Sequence, residues 1–362
     1  MMTKVGILGC GNICDIYIQN IMQKFDNLQL VALANRTRAK AEDKAKEYGI
    51  DRVETIPELL NDQNIDVIVI LTSPLSHADL VKQCLLHHKH VYVEKPLALS
   101  VAETQELLKL AKTQHLLLGV APDTLLGGGM QECKKIIDSG EIGDIVAVDA
   151  FMTCRGHERW HPNPDFFYQK GAGPLFDVGP YYLSALVNLV GPVTDVAAMA
   201  TKTFATRTVE TGEKKGEIIQ VNVPTHYSGS MKFKNGAIGT LIMSFDIWKS
   251  SLPRIEIHGT KGSLVVPDPN TFGGPLLISR EGKEWEEVPL SDKRFIENSR
   301  GLGVSDLMHS LSTKRPPIAN AEIAQHVVEI ITAFDASSNE QKTIHLATTC
   351  PHLPPLDISS TR

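Results

Sequence analysis

The sequence predicts a chain of two domains: a doubly wound, parallel α/β domain over residues 1–122, then an α+β domain over 123–362 built on a large, mostly antiparallel open sheet. Three observations carry this expectation. Strand-type and helix-type segments alternate from the N-terminus to about residue 120. After one further helix, β-rich segments succeed one another without helices between them. The 362 residues, 42% of them hydrophobic, supply apolar material for two cores.

In order, "KVGILGCG" is a short apolar run that ends in glycines, "ICDIYIQNIM" has helical spacing, and "LQLVALAN" is a second buried-type strand. "TRAKAEDKAKEYG" is a charged helix closed by Gly49, and "DVIVILTSP" is a third strand. "SHADLVKQCLLHHK" is a helix, "HVYVEKP" a strand, "SVAETQELLKLAKTQ" a helix with Ser100 as N-cap and Glu103 completing a capping box, and "LLLGVA" a strand. Past the helix "MQECKKIIDSG" come "IVAVDAFMT", "TDVAAMATKTF", "HYSGSMKF", "AIGTLIMSFDI", "RIEIHGTKG" and "GSLVVPD", with "AEIAQHVVEIITAFDASSN" as a late covering helix.

Composition narrows the function classes. Lys and Arg number 36 against 42 Asp and Glu, a formal net charge of -6, with no basic run suited to a phosphate backbone; nucleic acid is not an expected partner. The apolar runs are far shorter than the roughly 20 residues a membrane helix needs. "MMTKVGILGCG" reads as a first strand rather than a signal peptide, so a cytoplasmic protein is expected. The six cysteines are scattered without C-x-x-C pairs, which suits reduced, packed thiols.

The first turn is Gly9-Cys10-Gly11-Asn12-Ile13-Cys14. One glycine turns the backbone off the strand, the next lets it approach a pyrophosphate, and the N–H groups at the following helix start face the anion. This is a Rossmann-type fingerprint with Cys14 at its third small position. The second strand ends in Asn35-Arg36-Thr37-Arg38, where NAD sites usually place an acid; two guanidinium groups there predict NADP, with NAD the alternative. Glu94-Lys95-Pro96 stands at the C-terminal end of a parallel strand, the end at which open α/β sheets bind ligands.

Together with "GCGNI", "TSPLSHADL", "VEKPLALS", "GAGPLFDVGPYYLSALVNLVG", "EIHGTKGSLVV" and the "AEIAQHVVEII" helix, this chain resembles the glucose–fructose oxidoreductase, inositol dehydrogenase and MocA family over nearly its whole length. The resemblance implies an NAD(P)-dependent oxidoreductase acting on a sugar or sugar-like polyol. It assigns the cofactor to Gly9, Gly11, Asn12, Ile13, Asn35, Arg36, Thr72, Ser73, Pro74, His77, Glu94 and Lys95. The family pattern D-x-G-x-H reads here Asp177-Val178-Gly179-Pro180-Tyr181: the acid is kept and a phenol replaces the imidazole. Members with tyrosine at that position tend to use NADP with aldose or diol substrates.

Hydride transfer at a carbinol carbon needs a group that moves the hydroxyl proton. A phenol near pKa 10 is a poor base alone, so Lys95 beside Tyr181 is expected to favour phenolate, with Asp177 holding the lysine or a sugar hydroxyl. The other reading of these two residues is structural, with Asp177 the N-cap of an amphipathic "PYYLSALVNLV" helix.

"HERWH", residues 157–161, matches the zinc motif H-E-x-x-H letter for letter, but that motif works only on a helix. Gly156 before it and Pro162 after it forbid one. The stretch is expected instead to line the substrate pocket, Trp160 stacking on a sugar face and His161 bonding a hydroxyl. A catalytic pair favours an enzyme over the family's non-catalytic, dinucleotide-binding regulators. The open face of the second sheet predicts a homodimer or homotetramer.

Overall fold

The structure is a computed structural model that describes residues 2–356; the last six residues of the second predicted domain lie outside it. The chain begins β1 (Thr3–Leu8), α1 (Cys14–Gln23), β2 (Leu28–Ala34), α2 (Arg38–Tyr48), β3 (Val53–Glu54), α3 (Ile56–Asn61), β4 (Val67–Ile70), α4 (His77–Leu86), β5 (His90–Val93), α5 (Val101–Thr113) and β6 (Leu118–Val120). Its six strands pair in the order β3-β2-β1-β4-β5-β6, all parallel. All four residues of β4 are buried, as expected of a strand covered by helices on both faces. Gly49 closes α2 in the left-handed conformation, and Ser100 caps α5 by accepting the Glu103 N–H at 3.3 Å. The short pair β3 and α3 is absent from the sequence-based expectation. Its start is nonetheless a capping box, in which Thr55 and Glu58 satisfy each other's backbone N–H groups.

The chain continues with α6 (Gly128–Asp138), β7 (Ile145–Thr153), α7 (Gly173–Asp177), α8 (Gly179–Val190), β8 (Val193–Thr201), β9 (Thr206–Thr208), β10 (Ile218–Gln220), β11 (His226–Phe233), β12 (Ile238–Ser244), β13 (Ile255–Gly259), β14 (Gly262–Val266), β15 (Leu277–Arg280), β16 (Glu286–Glu287), α9 (Leu302–Thr313), α10 (Ala321–Glu340) and β17 (Ile344–His345). Nine of these strands form one sheet, β16-β15-β14-β13-β7-β12-β11-β8-β17, antiparallel except between β7 and β12. Helix α10 lies on β8, α7 on β12 and α6 on β14, with α8 wedged between α6 and α10. Every residue of α8 is buried, so this helix is central rather than amphipathic.

Among the described residues, no helix packs on the opposite face of the nine-stranded sheet. Register sets Met199, Ser228, Ile242 and Phe151 in one row across it, and Ala197, Ser230, Thr240 and Asp149 in the next. Met199 is 80% exposed and Ile238 49%.

Two late segments return to the first sheet. Ala319 accepts the Val120 N–H on the edge strand β6, and α10 packs on α5. Helix α9 is a further element that sequence patterning did not reveal, because its N-terminal N–H groups are satisfied from a distance: Asp123 accepts from Gly301 at 2.8 Å and from Gly303 at 3.1 Å. Among the described residues, no helix is long and apolar enough to cross a membrane.

Candidate active site

The strand order reverses direction between β1 and β4, and a crevice opens at their C-terminal ends. Gly9 sits there at φ +113°, and a Cβ on it would come within 2.8 Å of the Leu71 backbone, so only glycine fits. A Cβ on Gly11 would meet nothing within 4 Å, which leaves the outer side of the turn clear. Helix α1 follows with Ile13 at its N-cap and no side-chain cap, so, apart from the Cys14 N–H that the Gly11 carbonyl accepts at 3.0 Å, its N-terminus is open to an anion. Cys14 is fully buried beneath the turn, and Asn12 is exposed beside it.

A cavity of about 390 Å³ continues from the turn, lined among others by Gly9, Gly11, Asn35, Arg36, Thr72 and Ser73. Asn35 is fully engaged with the protein itself: its Oδ1 accepts the Cys10 N–H at 3.1 Å and its Nδ2 donates to the Thr37 carbonyl at 2.9 Å. Arg38 points away, paired with Glu42. Arg36 and Lys40, by contrast, line the cavity with no hydrogen bond or ion pair to their side chains among the described residues. Lys40 escaped the sequence reading. It stands in the first turn of α2, four residues after Arg36, which precedes that helix. Pro74 opens a 3-10 turn at the cavity's edge, and His77 behind it is buried with Nδ1 2.7 Å from the Pro96 carbonyl and Nε2 3.0 Å from that of Thr72. Its ring therefore ties the Thr72 loop to the Glu94-Lys95-Pro96 loop.

At the end of β5 the two sheets meet. Lys95 Nζ donates to the Asp177 carbonyl at 2.6 Å and to Asp177 Oδ1 at 3.0 Å, and lies 5.3 Å from the centre of the Tyr181 ring. Asp177 ends α7, and Val178 rather than Asp177 occupies the N-cap of α8, which leaves the carboxylate free for the lysine. The second oxygen of Asp177 stands 3.4 Å from Nε2 of His157. Glu94 faces inward instead, accepting from the Tyr17 hydroxyl at 2.8 Å and from the Lys95 N–H at 3.2 Å.

Burial opposes the charge on Lys95, but Asp177, Tyr181 and Glu94 together outweigh it and hold the ammonium above the ordinary lysine range. For Asp177, burial is likewise overcome, by Lys95 and His157, and its carboxyl is held down to about 2. Tyr181 goes the other way from the sequence-based expectation. Burial raises its phenol above the ordinary value, and Lys95 and Arg300 reverse that only in part. The site thus presents a cationic lysine and a protonated phenol side by side.

Arg300 is a second residue that sequence reasoning missed. Its positive charge lies close enough to Tyr181 to oppose the rise of that phenol, and it donates to Asn298 and Asn270 at 2.9 and 2.8 Å. No motif marks it, because it arrives on the segment that Asp123 anchors. Burial raises Asp123 itself to about 6, against the opposing pull of Arg300.

"HERWH" folds as a 3-10 turn over His157–Arg159, not as an α-helix. Glu158 is buried and bound by Tyr168 and Arg207, while His157 packs edge-on against Phe167 with ring centres 4.2 Å apart. His157, not His161, is the histidine that reaches Asp177. His161 accepts the Asn163 N–H at 3.0 Å, and Trp160, 61% exposed, packs against the His157 ring. A larger cavity of about 740 Å³ between α5 and α9 shares no residue with either half of this site.

Known proteins bear the same architecture. Residues 3–121 match the model of the oxidoreductase family with an NAD-binding Rossmann fold, and residues 130–265 match the GFO/IDH/MocA C-terminal domain. The chain is 30% identical over 314 residues to dTDP-3,4-didehydro-2,6-dideoxy-alpha-D-glucose 3-reductase of Saccharopolyspora spinosa, covering 86% of this chain and 85% of that protein. It is 23% identical to myo-inositol 2-dehydrogenase of Thermotoga maritima over 95% of this chain and 98% of that one. The solved structure of a levoglucosan dehydrogenase in complex with NADH and L-sorbose shares the fold at a TM-score of 0.81 and 19% identity, over 96% of this chain and 99% of that one. Matched in both halves and along most of a relative's length, the chain belongs to the Gfo/Idh/MocA family of oxidoreductases.

Proposed function

We propose that this protein transfers hydride between NADP and a hydroxyl or carbonyl carbon of a sugar or sugar-like polyol, with residues 1–122 holding the cofactor and residues 123–362 completing the substrate side. The convergence of Lys95 with Asp177 and Tyr181 carries this reading, since a non-catalytic binding protein needs no proton-transfer pair. Bound along the crevice, the nicotinamide would supply the hydride donor or acceptor. Lys95 would donate to the substrate oxygen, Asp177 would keep the ammonium aimed there, and Tyr181 would give or take the proton. The exposed Trp160 would stack on a sugar face and His161 would bond a hydroxyl, beside the cavity walls formed by Thr72 and Ser73. Sugar substrates agree with the names of the relatives, and a cytoplasmic setting suits six free cysteines.

The preference for NADP rests on Arg36 and Lys40, two unpaired cations at the cavity that would receive the ribose of the cofactor. NADPH is expected to bind more tightly than NADH, and Arg36→Ala should weaken NADPH alone by about 1.5 to 3 kcal/mol, the worth of a charge-assisted hydrogen bond. Fluorescence titration of both cofactors checks this; equal affinities in the wild type would sink it.

The helix-free face carrying Met199, Ile238, Ile242 and Phe151 is proposed as the contact between two copies. Light scattering at micromolar concentration should give at least a dimer, and Ile242→Lys should shift it towards monomer. A monomeric wild type would refute the interface.

A further inference from the structure

The loop that brings His157 to Asp177 also carries an array that the hydride chemistry leaves unused. Arg155 and Arg159 of that loop and Arg207 of β9 alternate in space with the rings of Phe204 and Trp248. Arg159 lies 4.7 Å from the centre of the Trp248 ring, Arg155 lies 4.7 Å from Trp248 and 5.0 Å from Phe204, and Arg207 lies 4.7 Å from Phe204. The two outer cations have acids: Arg159 pairs with Glu210 at 3.3 Å, and Arg207 is held by Glu158 at 2.8 Å and by Asp246. The central one has none. Among the described residues no carboxylate lies within ion-pair reach of Arg155, and its Nε and Nη1 are buried without a hydrogen-bond partner.

A buried donor left unbonded costs about 1–3 kcal/mol, more when it is charged; Nε and Nη1 are enclosed in this way, so the nitrogen open to an anionic acceptor is Nη2. Flanking rings leave the edge of a guanidinium as its bonding direction, and that edge matches the oxygens of a carboxylate or phosphate. The surroundings point to a sugar-borne anion rather than a free ion. Trp248 is 69% exposed, Trp160 61% and Phe204 40%, a concentration of open ring surface of the kind that packs on sugar C–H faces. Arg155 is also only two residues from His157, so its Cα is within about 7 Å of that residue's Cα along the chain.

We propose that Arg155 is the anion ligand of a distal substrate subsite, in which a carboxylate or phosphate on the sugar, or on a unit attached to it, bonds the guanidinium edge while Trp248 covers the neighbouring ring. The proposal rests on the sugar-oxidoreductase reading and deepens it to an acidic sugar.

The test is binding to the cofactor-loaded protein, followed by tryptophan fluorescence at matched ionic strength, with D-glucuronate and D-glucose 1-phosphate set against D-glucose. At least one acid should bind about tenfold or more tightly than glucose, as a charge-assisted pair implies. Which acid does so separates carboxylate from phosphate. Arg155→Met should collapse the preference, and Arg155→Lys, which keeps the charge and loses the planar edge, should retain part of it. The lysine variant carries the test if the methionine variant fails to fold. Equal binding of acids and glucose by the wild type, or a preference that survives Arg155→Met, overturns the proposal. So does a variant whose only change is a smaller mass in light scattering, which would make the array a subunit contact. Hydride transfer is read separately: an Arg155-dependent acid preference without cofactor turnover removes the oxidoreductase reading and keeps the subsite, whereas turnover of neutral sugars without the preference does the reverse.

Discussion

Replacing Lys95 with alanine should lower turnover by about 10²- to 10⁴-fold or more, the range for losing a group that bonds the reacting oxygen. The ammonium is the one cation held at the end of β5 by two contacts from Asp177, at 2.6 and 3.0 Å, and it faces the Tyr181 ring. Its removal takes away a donor to the substrate oxygen and also the positive charge that partly offsets the burial of the phenol. Lys95→Arg should not restore activity, because a planar fork cannot occupy a position shaped for a point charge between a carbonyl and a carboxylate oxygen. The loss should appear in the turnover number far more than in cofactor affinity. Steady-state kinetics beside cofactor titration make the distinction, and an alanine variant that keeps a tenth of wild-type turnover would remove Lys95 from the chemistry.

Tyr181→Phe should reduce turnover by about 10²- to 10⁴-fold as well, since it keeps the buried ring and deletes only the hydroxyl. The pH dependence gives the sharper test. Because burial holds the phenol above its ordinary value, the protonated form prevails at neutral pH and the base form grows only as pH rises. Oxidation should therefore accelerate steadily through the alkaline range, with no plateau set near neutrality as a histidine base would produce. Reduction, which uses the phenol as acid, should hold its rate across the same neutral range. The phenylalanine variant should lose the alkaline rise. Near-full turnover in Tyr181→Phe with a dead Lys95→Ala would assign the proton to the lysine alone.

The parts of this protein that depend on neighbours along the chain are written in its sequence. Continuous apolar runs such as that of β4 mark strands covered on both faces, glycine at position 9 meets a backbone conformation and a contact that no other residue tolerates, and Ser100 caps its own helix. The alternating burial of β11 and β12 separates a helix-covered face from an open one for the same reason, the two-residue repeat of a strand. The residues that converge on Lys95 are of another kind. Asp177 and Tyr181 share one motif, but Lys95 lies 82 residues before Asp177 and His157 stands on a separate loop, and only the packing of the second domain against the end of β5 sets their distances. The sequence reading gave the pocket role to His161 and not to His157, because no local pattern records which ring of a 3-10 turn faces a carboxylate. The direction of the Tyr181 shift was equally hidden: charge beside a phenol can be read from sequence, but the burial that outweighs it is a property of the packed whole.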